Sequence, residues 1–206
     1  MKTLLQLNAS LYAGEGQSSR LAARFVEGWR AANPGATVLL RDLAREPVPH
    51  LDAQRFGAFL APADARDADQ QAAVAYSDRL IDELKRADVI VIGLPMYNFG
   101  VPSMLKAYFD HVARAGVTFR YTESGPLGLL TGKRVYVFAA RGGRYAGTPS
   151  DTQTGYLRQF LRFLGIEDVE FVYAEGLAIG EADKQTALAQ ARHAIDGLLD
   201  RQRLAA

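Results

Sequence analysis

Short apolar runs alternate with longer segments of helical periodicity from one end of the chain to the other. The strand candidates are Thr3–Leu7, Ala36–Asp42, "VIVIGL" at Val89–Leu94, "RVYVFAA" at Arg134–Ala140 and "VEFVYAE" at Val169–Glu175. The third is apolar throughout, as befits a strand covered on both faces. Ala22, Phe25, Val26 and Trp29 share one face of a helix that begins near Ser18 or Ser19, either of which can cap it, and stops at Asn33–Gly35. Val74, Leu80, Ile81 and Leu84 stripe a helix over Asp69–Ala87. Further helices are expected from Ser103 onward, over Tyr156–Leu164 and over Ala187–Leu199. Glu46–Arg66, with Pro47, Pro49 and Pro62, reads as irregular, and Gly116–Pro126 as a short strand or hairpin inside a long insertion. Five strands alternating with helices imply a parallel sheet covered on both faces, with right-handed crossovers. No repeat, low-complexity tract or linker interrupts the pattern, so one doubly wound α/β domain over residues 1–206 is expected.

Composition narrows the function classes. Apolar residues make up 49% of the 206, ample for a full core. The formal charge is +1, from 24 basic and 23 acidic residues, which argues against a chain-wide footprint for nucleic acid or a membrane surface. With no cysteine, disulfides, thiolate nucleophiles and Cys-based metal sites are excluded, and a reducing compartment fits. The apolar stretch in "MKTLLQLNAS" is too short for a signal-peptide core, and no apolar run approaches the ~20 residues that span a bilayer. A cytoplasmic protein is the expectation. His50, His111 and His193 show no metal-ligand spacing, so no metal is expected.

In open α/β sheets, ligands bind beyond the carboxyl ends of the strands, where strand order reverses. Three loops qualify. "GEGQSSRLAARF" puts Gly16, Gln17, Ser18 and Ser19 at a helix N-terminus, where free N–H groups and the helix dipole suit an anion and where Ser10, Ser18 and Ser19 add hydroxyls. A serine there can equally be an N-cap. Neither a dinucleotide fingerprint nor a Gly-Lys-Ser/Thr phosphate loop is present. "PMYNFGVP" offers flat side chains, Tyr97 and Phe99, for a planar ligand, and in Asn98 a donor and acceptor together. In "ARGGRYAGTPSD", Gly142 and Gly143 permit close backbone approach, while Arg141 can pair with an anion, cover a ring or simply be solvated. A phosphate at the first loop and an aromatic heterocycle at the other two describe a mononucleotide such as FMN.

"PMYNF", "LKAYFDHVARAGVTFRYTESGPLGL", "TGKRVYVFAARGG" and "FLRFLGIEDVEFVYAEG" resemble the bacterial FMN-dependent NADH-azoreductase family, also described as NADH:quinone oxidoreductases, over nearly the full chain. The resemblance implies a flavodoxin-like homodimer with one FMN per subunit near the interface. It assigns the phosphate to Ser10, Gly16, Gln17 and Ser18, the ring to Met96, Tyr97, Asn98 and Phe99, and the ring edge to Ala140, Arg141, Gly142 and Gly143. Tyr121 and Phe163 match positions that line the acceptor pocket, from the partner subunit. The family usually has Ser where this chain has Ala140, and commonly Ser where it has Gly16; backbone N–H groups can serve at both. Over Leu51–Asp64, where relatives line the substrate pocket, the match is loose.

The implied reaction is a ping-pong hydride transfer: NADH reduces the flavin and leaves, and a quinone, azo or nitroaromatic acceptor then takes the reducing equivalents. No catalytic acid stands out, and water can supply protons. One competing expectation is a flavodoxin-type electron carrier with no small-molecule acceptor, against which the near-neutral charge, the length and the Gly116–Leu130 insertion argue. A second is a non-redox mononucleotide or phosphate-ester enzyme on the same fold, against which the absence of cysteine and of a carboxylate cluster at the strand ends argues.

Overall fold

The computed structural model describes residues 2–204. In chain order the elements are β1 (Thr3–Asn8), α1 (Gln17–Ala32), β2 (Thr37–Asp42), α2 (Ala53–Leu60), α3 (Ala68–Arg86), β3 (Val89–Pro95), α4 (Ser103–Val112), β4 (Phe119–Thr122), β5 (Gly125–Gly128), β6 (Arg134–Ala140), α5 (Thr152–Phe163), β7 (Asp168–Ala174) and α6 (Glu181–Leu204). Five strands form one sheet in the order β2-β1-β3-β6-β7, every neighbouring pair parallel. This is the doubly wound, flavodoxin-like order, and its reversal falls between β1 and β3.

Burial follows the strand period. On one face Leu4, Val91 and Phe138 pack with Phe25 and Trp29 of α1 and Ile195 of α6. On the other, Leu5, Ile92 and Val137 pack with Leu80 and Ile81 of α3, Leu105 and Phe109 of α4, and Leu157 of α5. All seven residues of β3 are buried, as its unbroken apolar run foretells. Gly93 of β3 is a close-approach position, because a Cβ there would lie 3.1 Å from the Ser18 carbonyl oxygen. The first turn of α1 is thereby seated directly on the strand across the switch point.

Three differences from the sequence reading have physical causes. Helix α2 forms inside the stretch expected to be irregular: Asp52 caps it by accepting from the Arg55 N–H at 2.8 Å. Its apolar residues Phe56 and Leu60 point outward and only Ala58 is buried, so no apolar stripe advertises it. Helix α5 begins at Thr152 rather than Tyr156, because Asp151 caps a polar first turn by accepting from the Thr154 N–H at 3.1 Å. Helix α6 likewise starts at Glu181, ahead of the apolar positions that mark it in sequence. The insertion holds the β4–β5 antiparallel hairpin, backed onto the chain after α5 where Leu130 N–H donates to the Leu164 carbonyl at 2.8 Å.

His111, on α4, secures the segment before α2. Its Nε2 lies 2.9 Å from the Pro49 carbonyl oxygen and must donate to it, leaving Nδ1 unprotonated, buried and without a partner among the described residues. Phe59 and Tyr76 meet the ring edge-on. Burial, then the neighbouring Arg55, lower its pKa from 6.5, with Arg114 adding to the effect and Asp110 and Asp52 opposing it. The unfolded chain therefore binds this proton at higher pH than the folded one. Stability from the neutral ring is complete above about pH 6.5 and is lost as pH falls through the folded value. Between pH 7 and pH 5 the melting temperature should drop, by about 2–4 °C for each kcal/mol lost, and thermal melts of His111→Phe should show a shallower drop over that interval.

Candidate functional site

The loop after β1 turns on Ser10 and on Ala13, which is held in the left-handed region at φ 48°. Ser10 Oγ accepts from the Tyr12 N–H at 3.2 Å. Gly16 follows closely enough that a Cβ there would collide with the Ser10 side chain, so glycine here is a packing requirement. Gly16, not a serine, is the N-cap of α1, and no side chain caps the helix. Ser18 and Ser19 therefore do not take the capping role that sequence allows them. Both lie in the first turn, both are 1% exposed, and both hydroxyls lack a partner among the described residues. The first-turn amides of an α-helix have no intrahelical acceptor, so buried donors and hydroxyls collect at the positive end of the helix dipole.

The loop after β3 is a tight reversal. Tyr97 N–H donates to the Gly100 carbonyl at 3.3 Å, and Gly100 N–H to the Tyr97 carbonyl at 3.0 Å. Between them Asn98 (φ 49°) and Phe99 (φ 61°) are both left-handed, as in a type I′ turn. Asn tolerates this region; Phe in it stores strain on the order of 1 kcal/mol. Ala13, Asn98 and Phe99 are the non-glycine residues of positive φ among those described, and all flank the switch point. Asn98 and Phe99 face solvent, while Met96 and Tyr97 are half-buried. The Tyr97 hydroxyl crosses to the first loop, accepting from the Leu11 N–H at 3.1 Å and lying 3.5 Å from Ser10 Oγ.

The loop after β6 is anchored from beneath. The Arg141 guanidinium is fully buried and spans two carboxylates, Asp151 at 2.8 Å and Glu175 at 3.0 Å. It also lies over the Tyr173 ring, 5.0 Å from its centre. Its charge is thus spent inside the protein rather than offered to a ligand. Burial alone would raise the Asp151 pKa, but hydrogen bonds from Arg141 and Thr154 outweigh it and hold the carboxyl below its ordinary value. The carbonyls of Arg141, Gly142 and Gly143 accept from the amides of Leu177, Ala178 and Gly176. The amides of Gly142 and Gly143 have no protein acceptor among the described residues. Tyr145 packs over Gly143 and meets Phe99 edge-on at 5.5 Å, and Ala140 is buried at the strand end.

Ser10, Gly16, Gln17, Ser18, Met96, Tyr97, Asn98, Phe99, Ala140, Gly142 and Gly143 thus gather around one end of the sheet, with Arg141 beneath it. Tyr121 and Phe163 do not join them. Phe119 contacts both, with ring centres 5.4 and 4.2 Å away, at the end of α5 that feeds β7. That end lies a full helix away, about 18 Å at 1.5 Å per residue over 12 residues. Four residues that the sequence reading passed over complete the framework: Asp151, Thr152, Gln153 and Glu175. The D-x-x-T pattern at Asp151–Thr154 was a readable helix start; nothing marked Glu175, whose partner is distant in sequence.

The family with a flavodoxin-like fold matches residues 1–199 of the chain. The FMN-dependent NADH:quinone oxidoreductase of Cellvibrio japonicus is 58% identical over 196 residues, covering 95% of this chain and 98% of that protein. FMN-dependent NADH:quinone oxidoreductase 6 of Burkholderia lata is 57% identical over 195 residues, again covering 95% and 98%. Among solved structures, an azoreductase from Bacillus anthracis str. Sterne superposes with a TM-score of 0.88 at 26% identity, covering 98% of this chain and all of that one. An FMN-dependent NADH-azoreductase from Bacillus anthracis str. Ames Ancestor, solved in complex with FMN, gives 0.85 at 29% identity, covering 97% and 100%. The chain belongs to the flavodoxin-like family of FMN-dependent NADH:quinone oxidoreductases.

Because Arg141 balances two largely buried carboxylates, removing it leaves charge without compensation. Arg141→Met should lower the unfolding free energy by about 3–5 kcal/mol, read from denaturant midpoints. Asp151 adds a pH dependence: its folded pKa is depressed from 3.8, so its contribution is complete above that value and lost as pH falls below it.

Proposed function

We propose that this chain is an FMN-dependent NADH:quinone oxidoreductase that works as a cytoplasmic homodimer, by a ping-pong cycle, on quinone, azo or nitroaromatic acceptors. The observation that carries the reading is the meeting, at one switch point, of a helix start holding two unpartnered buried hydroxyls and a left-handed turn presenting Asn98 and Phe99. No helix among the described residues is long and apolar enough to cross a membrane.

The residues fit the cofactor. The free amides opening α1, with the hydroxyls of Ser10, Ser18 and Ser19, would hold the phosphate without a cation, since the helix dipole favours a dianion there. Gly16, tight against Ser10, brings that loop close enough to do so. Met96, Tyr97 and Phe99 would lie against the ring system, and Asn98 would exchange hydrogen bonds with its heteroatom edge. At the other edge the unengaged amides of Gly142 and Gly143 would supply donors, standing in for the hydroxyl that Ala140 lacks. When bound, FMN supplies two-electron redox chemistry, accepting from NADH and passing the equivalents on to the acceptor. No side chain at the turn is a carboxylic acid or imidazole, so water would carry the protons.

The placement of Tyr121 and Phe163 supports a dimer. They lie at the opposite end of their own protomer's sheet, and Tyr121 is 75% exposed. In a two-fold assembly they would roof the partner's site, with apolar surface suited to flat acceptors and few polar groups to discriminate among them.

Mixing the FMN-loaded protein with NADH without oxygen should bleach the oxidised-flavin band, and adding a quinone should restore it. A bound flavin that neither NADH nor NADPH bleaches would overturn the reading in favour of an electron carrier. Asn98→Ala should raise the FMN Kd about tenfold, the equivalent of one good hydrogen bond, and slow turnover. Titration by flavin fluorescence decides it, and an unchanged Kd and rate remove Asn98 from the site.

A further inference from the structure

The turn at Asn98–Phe99 is strained, solvent-facing and only two residues long, yet its own hydrogen bonds are the pair that closes it. Something outside must hold it. Helix α5 does: Gln153, 0% exposed, points its carboxamide under the turn and donates both Nε2 hydrogens, one to the Pro95 carbonyl and one to the Gly100 carbonyl, each at 2.9 Å. Thr152 beside it donates its hydroxyl to the Phe99 carbonyl. Three carbonyls spanning the turn are thus captured from one helix start.

A single side chain with two N–H donors in a plane suits two neighbouring carbonyls, the buried one of Pro95 and the half-buried one of Gly100 that Tyr97 N–H also reaches, and losing these donors forfeits a hydrogen bond at each. The Gln153 Oε1 has no partner among the described residues, so the carboxamide is oriented by its donors alone. The start of α5 is itself immobilised. Asp151, its cap, is held by the Arg141 guanidinium, which is held in turn by Glu175 after β7. The chain of contacts runs from β7 through Arg141 and Asp151 to Gln153 and the turn.

Resting on the flavin reading above, we propose that Gln153 is a positioning residue for the cofactor: it fixes the Tyr97–Gly100 turn so that Asn98 and Phe99 meet the ring in one geometry. Gln153 reaches no ligand itself and acts through the turn. A chain without its two donors keeps the sheet and the phosphate loop but lets the turn relax from its left-handed conformation. Ring affinity and hydride acceptance then fall while the phosphate contacts remain.

Gln153→Leu, Gln153→Glu and Thr152→Val test this. Hydrogen exchange of the 95–101 peptide in the FMN-free protein reads the turn directly, and faster exchange is expected in Gln153→Leu with unchanged protection in β1 and α1. In FMN titrations its Kd should rise about tenfold. In turnover with saturating FMN its kcat should fall more than its KM for NADH changes. Thr152→Val, at an exposed position that threatens folding little, should show the same pattern at a smaller amplitude. Gln153→Glu is the sharpest probe: a protonated carboxyl can donate to one carbonyl, whereas the carboxylate repels both. Its FMN retention should therefore decline as pH rises, while wild type stays flat. Exchange, Kd and pH profile all matching wild type would overturn the proposal. A wild-type protein that retains no FMN would instead overturn the flavin reading, and the proposal with it.

Discussion

The carboxyl ends of β1 and β3 lie side by side, but the chain leaves them for opposite faces of the sheet, to α1 from one and to α4 from the other. Everything at the site depends on keeping that divergence narrow. Gly93 does so by letting α1 rest against β3. A bulkier residue would push the helix start away and separate the polar first turn from the aromatic turn beside it. The opening that remains is lined on one side by unpaired donors and on the other by flat side chains. That is the chemistry of a ligand with an anionic tail and a planar head.

Strain and rigidity divide between the two sides of this opening. The left-handed residues belong to the rims, Asn98 and Phe99 exposed and Ala13 half-buried. The buried ion network of Arg141, Asp151 and Glu175 lies below, where low dielectric strengthens each pairing and desolvation penalises any break. Loops that contact a ligand rarely stabilise themselves. Here the rim borrows its order from α5, a helix whose other end carries the apolar cluster around Phe119.

How much of this could be read beforehand depended on whether the signal was local. The five parallel strands were legible because each is a short apolar run between breaks, and β3 announced its burial on both faces. The three loops were legible because "GQSS", "PMYNF" and "RGG" are dense in residues that a plain turn does not need. Helix α2 was not, because Phe56 and Leu60 face outward and only Ala58 and Phe59 turn inward, too few to make a stripe. The first turn of α5 carries no apolar periodicity, because Thr152, Gln153 and Thr154 offer no apolar position, and only the capping residue Asp151 marks it. Arg141 looked like a ligand contact because its acidic partners are fixed by the fold: Asp151 lies ten residues on and Glu175 at the end of a strand not yet paired. The flat Tyr97 ring was legible, but its hydroxyl contact with Leu11 spans 86 residues and leaves no trace in either segment.

That hydroxyl has a consequence for which molecules the site can tell apart. Tyr97 opens the turn after β3 and its hydroxyl accepts from the Leu11 amide in the loop after β1, so the two loops share a contact, and on the reading proposed above settling one would lower the entropic cost of settling the other. Their binding energies are then not additive. On that reading a flavin with its phosphate removed would forfeit more than the contacts to that phosphate, and an inorganic anion alone would prepare the turn for a ring it does not carry. Discrimination between a nucleotide and its fragments would then rest in part on one phenol oxygen that touches both loops.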